Sequence, residues 1–394
     1  MSMATIGATP AGGNNRLALS DVDGAGRDLF VSWCEAAGCK VRVDSMGNIF
    51  ARRGGSNPRA PPVLIGSHLD TQPTGGRFDG VYGVLAGLEV VRRLNDLDIV
   101  TSHPIDVVCW TNEEGVRFAP AMVGSGVWAG EFEEGWAHAI TDKEGVTIGQ
   151  ALAQIGYDGA EAAHWFPTRA SFEIHIEQGP ILEQERKTIG VVTGVQGMRW
   201  YDISIHGEPC HAGPTPMAGR RDPFRALSTI IDRIYGLAEE HAPWGRVTFG
   251  DVRAEPGSRN TVPALVCLAL DIRHPEIDVL SQMDVSVRSI VAEVCGGLDL
   301  DAQIADQWNS PPVVFAEELV AEVAAAAQAL DLPTMRIISG AGHDSVYVSK
   351  VADAAMIFVP CKDGLSHNEA ESATPEDLAA GCSVLLGAVL AVAG

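Results

Sequence analysis

An alternation of short apolar runs with longer amphipathic segments constrains the fold of this chain more than any other feature. VLIG before Ser67 and IDVVCW from Ile105 predict buried strands, and VYGVLAGLEVVRRL from Val81 has helical periodicity. FEIHIEQG, from Phe172, alternates with a period of two, as a strand does. Strands separated by helices predict an α/β domain with helices on both faces of its sheet.

The pattern changes between residues 196 and 312. A strand (WYDISIHG) is followed by a helix beginning near Asp222, two strands (RVTFGDV and ALVCLALDI), a second helix from Ile277 and a last strand (DLDAQIADQW). This β-α-β-β-α-β order is typical of a ferredoxin-like domain. After a predicted linker, NSPP, the alternation of strands and helices resumes. We therefore expect a small domain, 196–312, inserted into a larger one formed by 1–195 and 313–394.

Composition limits the partners of the protein. The 394 residues suit two domains, and the 46% share of hydrophobic residues excludes wholesale disorder. With 28 Lys and Arg against 51 Asp and Glu, the formal charge is −23. Such an acidic chain argues against binding nucleic acid or anionic membranes through a broad basic surface.

The termini and cysteines bear on the compartment. The amino terminus lacks a signal-peptide pattern, and no apolar run reaches the roughly 20 residues of a membrane span. The final SVLLGAVLAVAG predicts a packed helix, and the first fifteen or so residues are expected to be frayed. Eight scattered cysteines without a C-x-x-C pair indicate buried thiols in a reducing compartment, so we expect a cytoplasmic protein.

The densest chemical signal is GSHLDTQPTGGRFDGVYGVLAG. His68 and Asp70 follow a predicted strand, and Asp79 lies in a Gly-rich loop. Histidine offers a neutral nitrogen, Asp79 offers an oxygen that could bridge two metals, and Asp70 could hold the second nitrogen of His68. The alternative is a Gly-rich turn in which Asp79 caps the helix at Val81.

Two adjacent carboxylates, Glu113 and Glu114, follow the strand IDVVCW in the segment WTNEEGVRF. Neighbouring carboxylates repel each other unless a positive charge lies nearby, and a metal supplies one. One carboxylate could bind the metal while the other takes a proton from water. The alternative is a solvated acidic loop.

Histidines in two further segments complete a set of potential ligands. His175 lies on the strand FEIHIEQG, and His367 lies in the loop GLSHNEAE; each alone is more often structural. Taken together, the nitrogen and carboxylate ligands suit two metals, such as zinc or manganese, that share a bridging carboxylate. The set is His68, Asp79, Glu114, His175 and His367.

The motifs H-L-D, D-G-x-x-G, N-E-E-G-x-R-F, H-I-E-Q-G-P and S-H-N-E-x-E occur in this order. The chain thereby resembles the dinuclear-metal amidases of the hydantoinase/carbamoylase family, within the wider aminoacylase and metallopeptidase group. The resemblance extends from about Asp44 to Gly381. It implies a metallopeptidase-like catalytic domain interrupted by a lid and dimerisation domain.

The resemblance also implies roles for individual residues. His68, Asp79 and His175 would surround one divalent metal ion, and Asp79, Glu114 and His367 the other, with Zn favoured over Mn, Co or Ni. Glu113 would be the general base and Asp70 would orient His68. In the inserted domain, His211 would polarise the scissile carbonyl. Asn260 and Arg273 would also bind substrate. Gln196, at the start of the inserted domain, and Gly342 and His343, in the later segment SGAGHD, are further candidates for substrate binding.

Three of these assignments have structural alternatives. Arg273 could pair with a substrate carboxylate, or form an ion pair with Asp271 on the same strand face. His343 could contact substrate or only orient its loop. Cys210, beside His211, is expected to be a small filler and not a nucleophile.

The expected function is hydrolysis of the carbamoyl C–N bond of an N-carbamoyl amino acid, α or β, to the amino acid, ammonia and carbon dioxide. Allantoate and ureidoglycolate hydrolysis are the nearest alternatives, because both substrates carry a ureido group and a carboxylate. An aminoacylase or dipeptidase using the same metals, and a catalytically silent binding protein, are more distant. We also expect a homodimer whose active site is shared between subunits.

Overall fold

A computed structural model describes all residues of the chain, 1–394. The chain forms two compact units. The first unit comprises Met1–Gly194 and Val314–Gly394, and the inserted unit comprises Val195–Val313. These bounds differ by one residue at each junction from those expected of the sequence.

The secondary-structure elements are numbered here in chain order. The helices are α1 (Ser2–Thr5), α2 (Asp21–Ala36), α3 (Val81–Asp96), α4 (Val123–Trp128), α5 (Glu134–Ala139), α6 (Ile148–Ile155), α7 (Ile181–Gln184), α8 (Pro223–Glu240), α9 (Ile277–Gly297), α10 (Glu317–Ala329), α11 (Ser345–Val348) and α12 (Pro375–Ala393). The strands are β1 (Lys40–Val43), β2 (Ile49–Arg53), β3 (Val63–His68), β4 (Ile105–Trp110), β5 (Ala170–Ile176), β6 (Ile189–Val195), β7 (Gly197–His206), β8 (Cys210–His211), β9 (Arg246–Glu255), β10 (Thr261–Val262), β11 (Leu265–His274), β12 (Asp301–Ser310), β13 (Val313–Val314), β14 (Thr334–Ser339) and β15 (Ala354–Val359).

The first unit is built on one mixed sheet in the order β1-β2-β4-β3-β5-β15-β6-β13, with β14 paired to β6. The pairs β4–β3, β3–β5 and β5–β15 are parallel, and β2 and β6 flank this group antiparallel. Every residue of β3, β4, β5 and β15 is buried, so both faces of the central sheet are covered. The predicted α/β class is confirmed.

Glycines allow α3 to approach the ends of the central strands. Gly80, with φ of 64°, precedes the helix, and a Cβ added there would lie 2.3 Å from the His68 ring. A Cβ at Gly83 would lie 2.6 Å from the carbonyl oxygen of Ile174. The D-G-x-x-G motif therefore brings Asp79 against the ends of β3 and β5.

The amino-terminal residues are ordered, so the expectation of a frayed segment was wrong. Met3, Asn14 and Arg16 are buried. Asn14 forms bridges with both Ala8 and Gly75. Composition alone does not reveal this order, because it comes from hydrogen bonds between polar side chains and distant carbonyl oxygens.

The carboxy-terminal helix α12 is packed, as expected. It is the helix that is long and apolar enough to cross a membrane. In the first unit it lies against α3, α10 and β15. Val384, Leu385 and Val389 on it are fully buried.

The inserted unit has an antiparallel sheet in the order β12-β7-β11-β9. Helices α8 and α9 pack on it over a core that includes Ile203, Ile230, Leu268 and Val287. The order β7-α8-β9-β11-α9-β12 is the predicted β-α-β-β-α-β arrangement. A separate pair of short strands, β8 and β10, lies outside this sheet.

Candidate metal centre

Six ionisable side chains converge within the first unit. His68 is the last residue of β3, His175 is next to last in β5, and Glu113 and Glu114 follow β4. Asp79 precedes α3, and His367 lies in the loop after β15. The carboxyl ends of parallel strands meet at one edge of the sheet, where ligands of α/β proteins bind.

Asp79 lies at the centre of the cluster. Its Oδ1 is 3.2 Å from His175 Nε2 and 3.8 Å from His68 Nε2, whereas its Oδ2 is 3.4 Å from His367 Nε2. Glu114 Oε2 is 3.5 Å from the same nitrogen of His367. Two groups of potential ligands thus share Asp79, each with its ligand atoms within 4.8 Å of one another: His68, Asp79 and His175; and Asp79, Glu114 and His367.

Backbone carbonyls set the tautomers of two of the histidines. Nδ1 of His68 is 2.9 Å from the carbonyl oxygen of Asp70, and Nδ1 of His175 is 2.8 Å from that of Ile176. Because a carbonyl can only accept, each Nδ1 carries a hydrogen, and in the neutral ring each Nε2 keeps a lone pair. The Gly80 N–H donates to His175 Nε2 at 3.1 Å, which agrees with this tautomer. A metal needs that lone pair.

Asp70 contacts both His68 and the turn of Glu113 and Glu114, and it contacts His68 through its backbone carbonyl and not through its carboxylate. The sequence suggested that its carboxylate holds His68, but Asp70 Oδ1 is 3.8 Å from Nδ1, and the carbonyl oxygen takes that place. The carboxylate instead accepts the backbone N–H groups of Glu113 (3.3 Å) and Glu114 (3.1 Å). Asp70 therefore fixes the turn that carries both glutamates.

Buried carboxyl groups are concentrated in the cluster, and their pKa values are perturbed. Burial raises the pKa of Glu113 well above its usual value, and the charge of Asp344 raises it further. Burial and the charge of Asp79 raise the pKa of Glu114 in the same way. Burial also opposes ionisation of Asp79, but hydrogen bonds from His175 and His367 hold its pKa well below the usual range. A bound cation would offset this concentration of carboxylates.

The pKa of His175, which contacts Asp79, is raised, whereas that of Asp79 is lowered. Burial alone would lower the pKa of His175, but its hydrogen bond to Asp79 and the charge of that carboxylate raise it to about 9. Without a metal, a proton on His175 Nε2 thus occupies the position between the two groups that a metal ion would take after displacing it.

The donor set fits two divalent cations. Glu114 Oε1 is buried and has no hydrogen-bond partner, so this oxygen lacks the compensation that a cation would give. All the ligand atoms are imidazole nitrogens or carboxylate oxygens, and none is a thiolate. Such ligands suit zinc, manganese and similar metals at sites with open positions.

Four polar residues that the sequence did not single out hold this centre in place. Glu371 Oε1 accepts the backbone N–H groups of Phe78 (2.9 Å) and Asp79 (3.2 Å). Gln178 and Ser366 each donate to Asp79 Oδ2 at 3.0 Å, and Gln72 donates to Glu114 Oε2 at 2.7 Å. All four stand within or beside the recognised motifs, but spacing gave no reason to assign them a partner.

His343 lies beneath the ligands in the first unit. Its buried ring is 4.7 Å from that of His175, centroid to centroid, and its Nε2 is 3.0 Å from Ser339 Oγ. This position favours the alternative in which His343 orients its loop. Gly342 lies beside Met122, since an added Cβ would be 3.1 Å from Met122 Cε.

In the inserted unit, His211 and Asn260 are neighbours. His211 on β8 pairs with Thr261 on β10, and the N–H of Ala212 donates to the carbonyl oxygen of Asn260 at 2.8 Å. Both His211 and Asn260 are exposed. The structure therefore brings these two predicted substrate-binding side chains to one exposed ribbon.

Arg273 lies at the opposite end of the same unit. It pairs with Met198 in the β7–β11 ladder, near Gln196 in the chain, while Leu265 pairs with His206 at the far end. At 3.4 Å per residue the two ends are about 27 Å apart. The Arg273 side chain donates to Asp271, at 2.7 Å from Nη2, which is the structural alternative foreseen.

Comparison with known proteins agrees with this geometry. A model of the family described as Peptidase family M20/M25/M40 matches residues 64–391. An N-carbamoyl-L-amino-acid amidohydrolase of Rhizobium meliloti is 48% identical, over 100% of this chain and 94% of its own length. An allantoate amidohydrolase of Bacillus subtilis (strain 168) is 32% identical, over 97% and 93%. The crystal structure of a hydantoinase/carbamoylase family amidase from Burkholderia multivorans has a TM-score of 0.96 at 53% identity, over 100% and 96%.

Proposed function

The chain belongs to the peptidase family M20/M25/M40, and from that premise we propose that it hydrolyses the carbamoyl C–N bond of N-carbamoyl-L-amino acids. The observation that carries the proposal is the pair of ligand groups sharing Asp79, with Glu113 beside them. These groups agree with the dinuclear metal dependence typical of the family. The full-length relative of 48% identity supports the carbamoyl substrate over allantoate.

Two zinc ions are the proposed cofactor, with manganese, cobalt or nickel as alternatives. His68, Asp79 and His175 would hold one ion, and Asp79, Glu114 and His367 the other. Bound divalent cations supply positive charge that makes a water acidic at neutral pH and polarises a carbonyl.

Glu113 is the proposed general base. Its Oε2 is 3.4 Å from His68 Nε2, so the carboxylate borders the ligands without belonging to either group. Glu113 would take a proton from the attacking water and deliver it to the departing nitrogen. One water added to the ureido group yields the amino acid, carbon dioxide and ammonia.

Groups of the inserted unit would bind the substrate. Arg273 would pair with the substrate carboxylate, exchanging Asp271 for it, and Gln196 lies near it in the chain. His211 would donate to the oxyanion that forms at the carbamoyl carbon, and Asn260 would assist it. Gly342 and His343 would shape the wall below the ligands.

The ends of the inserted unit support a site shared between two copies of the chain. About 27 Å separates the Arg273 end of β11 from the Leu265 end, beyond which the His211 ribbon lies. One N-carbamoyl amino acid is far too short to contact both ends of a single copy. We therefore propose a cytoplasmic homodimer in which the metal ligands, Glu113 and Arg273 of a site come from one subunit and His211 and Asn260 from the other.

Ammonia release from a substrate panel tests the activity. The panel contains several N-carbamoyl-L- and D-amino acids, N-carbamoyl-β-alanine, allantoate, ureidoglycolate and an N-acetyl amino acid. We expect the highest kcat/KM with an N-carbamoyl-L-amino acid. Preference for allantoate or ureidoglycolate would replace the N-carbamoyl amino acid as the assigned substrate. Preference for the N-acetyl compound would indicate an aminoacylase.

Mixing two inactive variants tests the shared site. Under subunit exchange, Glu113→Gln and His211→Ala proteins form mixed dimers in which one site has both wild-type residues. Activity should recover to about one quarter of normal if exchange is statistical. No recovery, with exchange confirmed independently, would show that each subunit completes its own site.

A further inference from the structure

The amino-terminal strap, residues 1–16, is bonded to the ligand loop, residues 68–79. Asn14 N–H donates to the carbonyl oxygen of Gly75 at 2.9 Å, and Gly75 N–H donates back at 3.0 Å. Thr71 N–H donates to the carbonyl oxygen of Arg16 at 2.9 Å, and Arg16 N–H donates to Thr71 Oγ1 at 2.8 Å. Two reciprocal pairs of hydrogen bonds therefore fix the loop between its two ligands.

The side chain of Arg16 reaches further towards the first ligand. Its Nε donates to the carbonyl oxygen of Leu69 at 2.7 Å, and Leu69 directly follows His68. Its Nη1 donates to the carbonyl oxygens of Ile6 (2.8 Å) and Met3 (3.3 Å) within the strap. The guanidinium thus joins the strap to the peptide next to His68.

Arg16 is an unusual anchor because it is a buried cation held by neutral groups. Its exposure is 1%, and the hydrogen-bond partners of its side chain are backbone carbonyls, not carboxylates. Burying a charge is costly, and the three hydrogen bonds to carbonyl oxygens offset that cost here. An apolar side chain could fill the space but could not link the strap to the ligand loop.

The charge of Arg16 also faces the acidic side of the centre. Burial lowers the pKa of its guanidinium, whereas the charges of Asp23 and Asp70 oppose that effect. Asp70 in turn accepts the N–H groups of Glu113 and Glu114. The strap thus contributes a buried positive charge that interacts with Asp70.

We propose that Arg16 is a positioning residue that holds the ligand loop in its metal-binding conformation before a cation arrives. A loop fixed in advance loses less conformational freedom when its side chains bind a ligand. The inference rests on the proposed function only in taking His68 and Asp79 as metal ligands.

Arg16→Met tests the proposal, with Arg52→Met as the matched control. Methionine retains the length of the side chain and removes every donor. Arg52 lies on β2 and donates to Asp106, so its loss also destabilises the first unit but does not touch the ligand loop. The readouts are zinc affinity of the metal-free protein by chelator competition, hydrogen exchange of Thr71 and Gly75 amides, the thermal midpoint Tm, and kcat and KM separately.

Arg16→Met should weaken zinc binding about tenfold, the lower range for groups that orient metal ligands. Exchange at Thr71 and Gly75 should quicken, and kcat should fall with little change in KM. Arg52→Met should lower Tm and leave zinc affinity and loop exchange unchanged. Arg16→Lys keeps the charge but has fewer hydrogen-bond donors, so its zinc affinity and its exchange rates at Thr71 and Gly75 should lie between those of wild type and Arg16→Met.

Normal zinc affinity and loop exchange in Arg16→Met, with only Tm lowered, would overturn the proposal. If that variant does not fold, Arg16→Lys and Thr71→Val carry the same readouts and the same criterion. A wild-type protein that binds zinc through this loop but releases no ammonia from any ureido substrate would defeat the proposed function and leave the role of Arg16 intact.

Discussion

The predicted metal ligands and the predicted substrate-binding groups differ in how the fold holds them. In the first unit, His68, Asp79 and His175 are buried, and carbonyls, amides and hydroxyls fix their orientation. In the inserted unit, His211 on β8 and Asn260, which directly precedes β10, are exposed. These three side chains are thus held in place by the fold itself, whereas His367, at 51% side-chain exposure, resembles His211 and Asn260 in lying at the surface.

Substitution of Asp79 should have the largest effect on the predicted metal centre. Asp79→Asn should remove the one carboxylate shared by both ligand groups, so bound metal should fall below one ion per chain and turnover to background. Elemental analysis of purified protein measures this, with the exposed Asp96→Asn on α3 as a control. Two retained metal ions would refute a bridging Asp79.

Glu113 and its neighbour should separate catalysis from metal binding. Glu113→Gln keeps the shape but cannot accept a proton, so kcat should fall about 10²–10⁴-fold with metal content kept. Glu114→Gln should instead lower metal content. The assignment fails if both variants lose metal equally and Glu113→Gln regains normal activity when metal is restored.

Substitution of His211 should lower the rate of catalysis without lowering the stability of the protein. His211→Ala should lower kcat about 10²–10³-fold, because a donor to the developing oxyanion is lost. Metal content and Tm should stay at wild-type values, since the side chain is exposed. Unchanged turnover would show that His211 does not take part in the reaction.

Arg273 should show the smallest effect. Arg273→Ala should cost about 1.5–3 kcal/mol in kcat/KM for substrates with a free carboxylate and almost nothing for esterified analogues. Asp271→Asn is the matched control, because it removes the competing partner and keeps the arginine. An equal loss for both kinds of substrate would leave Arg273 as a structural ion pair.

The sequence predicted the α/β class and the order of elements in the inserted unit, because apolar periodicity records which faces are buried. The family predicted from the motifs is confirmed by the match to residues 64–391 and by hydantoinase/carbamoylase structural relatives. The roles of the individual site residues remain predictions. The predicted histidine and carboxylate ligands lie close together in the structure because the carboxyl ends of parallel strands meet at one edge of the sheet.

What the sequence missed depends on contacts between distant residues. The bond from Arg16 to Leu69 spans 53 residues, and those from Glu371 to Phe78 and Asp79 span 293 and 292. The use of the Asp70 carbonyl in place of its carboxylate depends on a local turn geometry that residue identity does not encode. For Arg273, residue type allowed both a substrate carboxylate and Asp271 as partners; the fold shows the contact with Asp271, and the substrate contact remains a prediction.

The place where the inserted unit joins the first has an engineering consequence. The strands that leave and re-enter the first unit, β6 and β13, are neighbours in its sheet, and Phe315 N–H donates to Thr193 O at 3.0 Å. The two cut points are therefore bonded to each other without the insert. A short turn between them could replace more than one hundred residues, leaving a smaller protein that keeps the predicted metal ligands and lacks the predicted substrate-binding residues His211, Asn260 and Arg273.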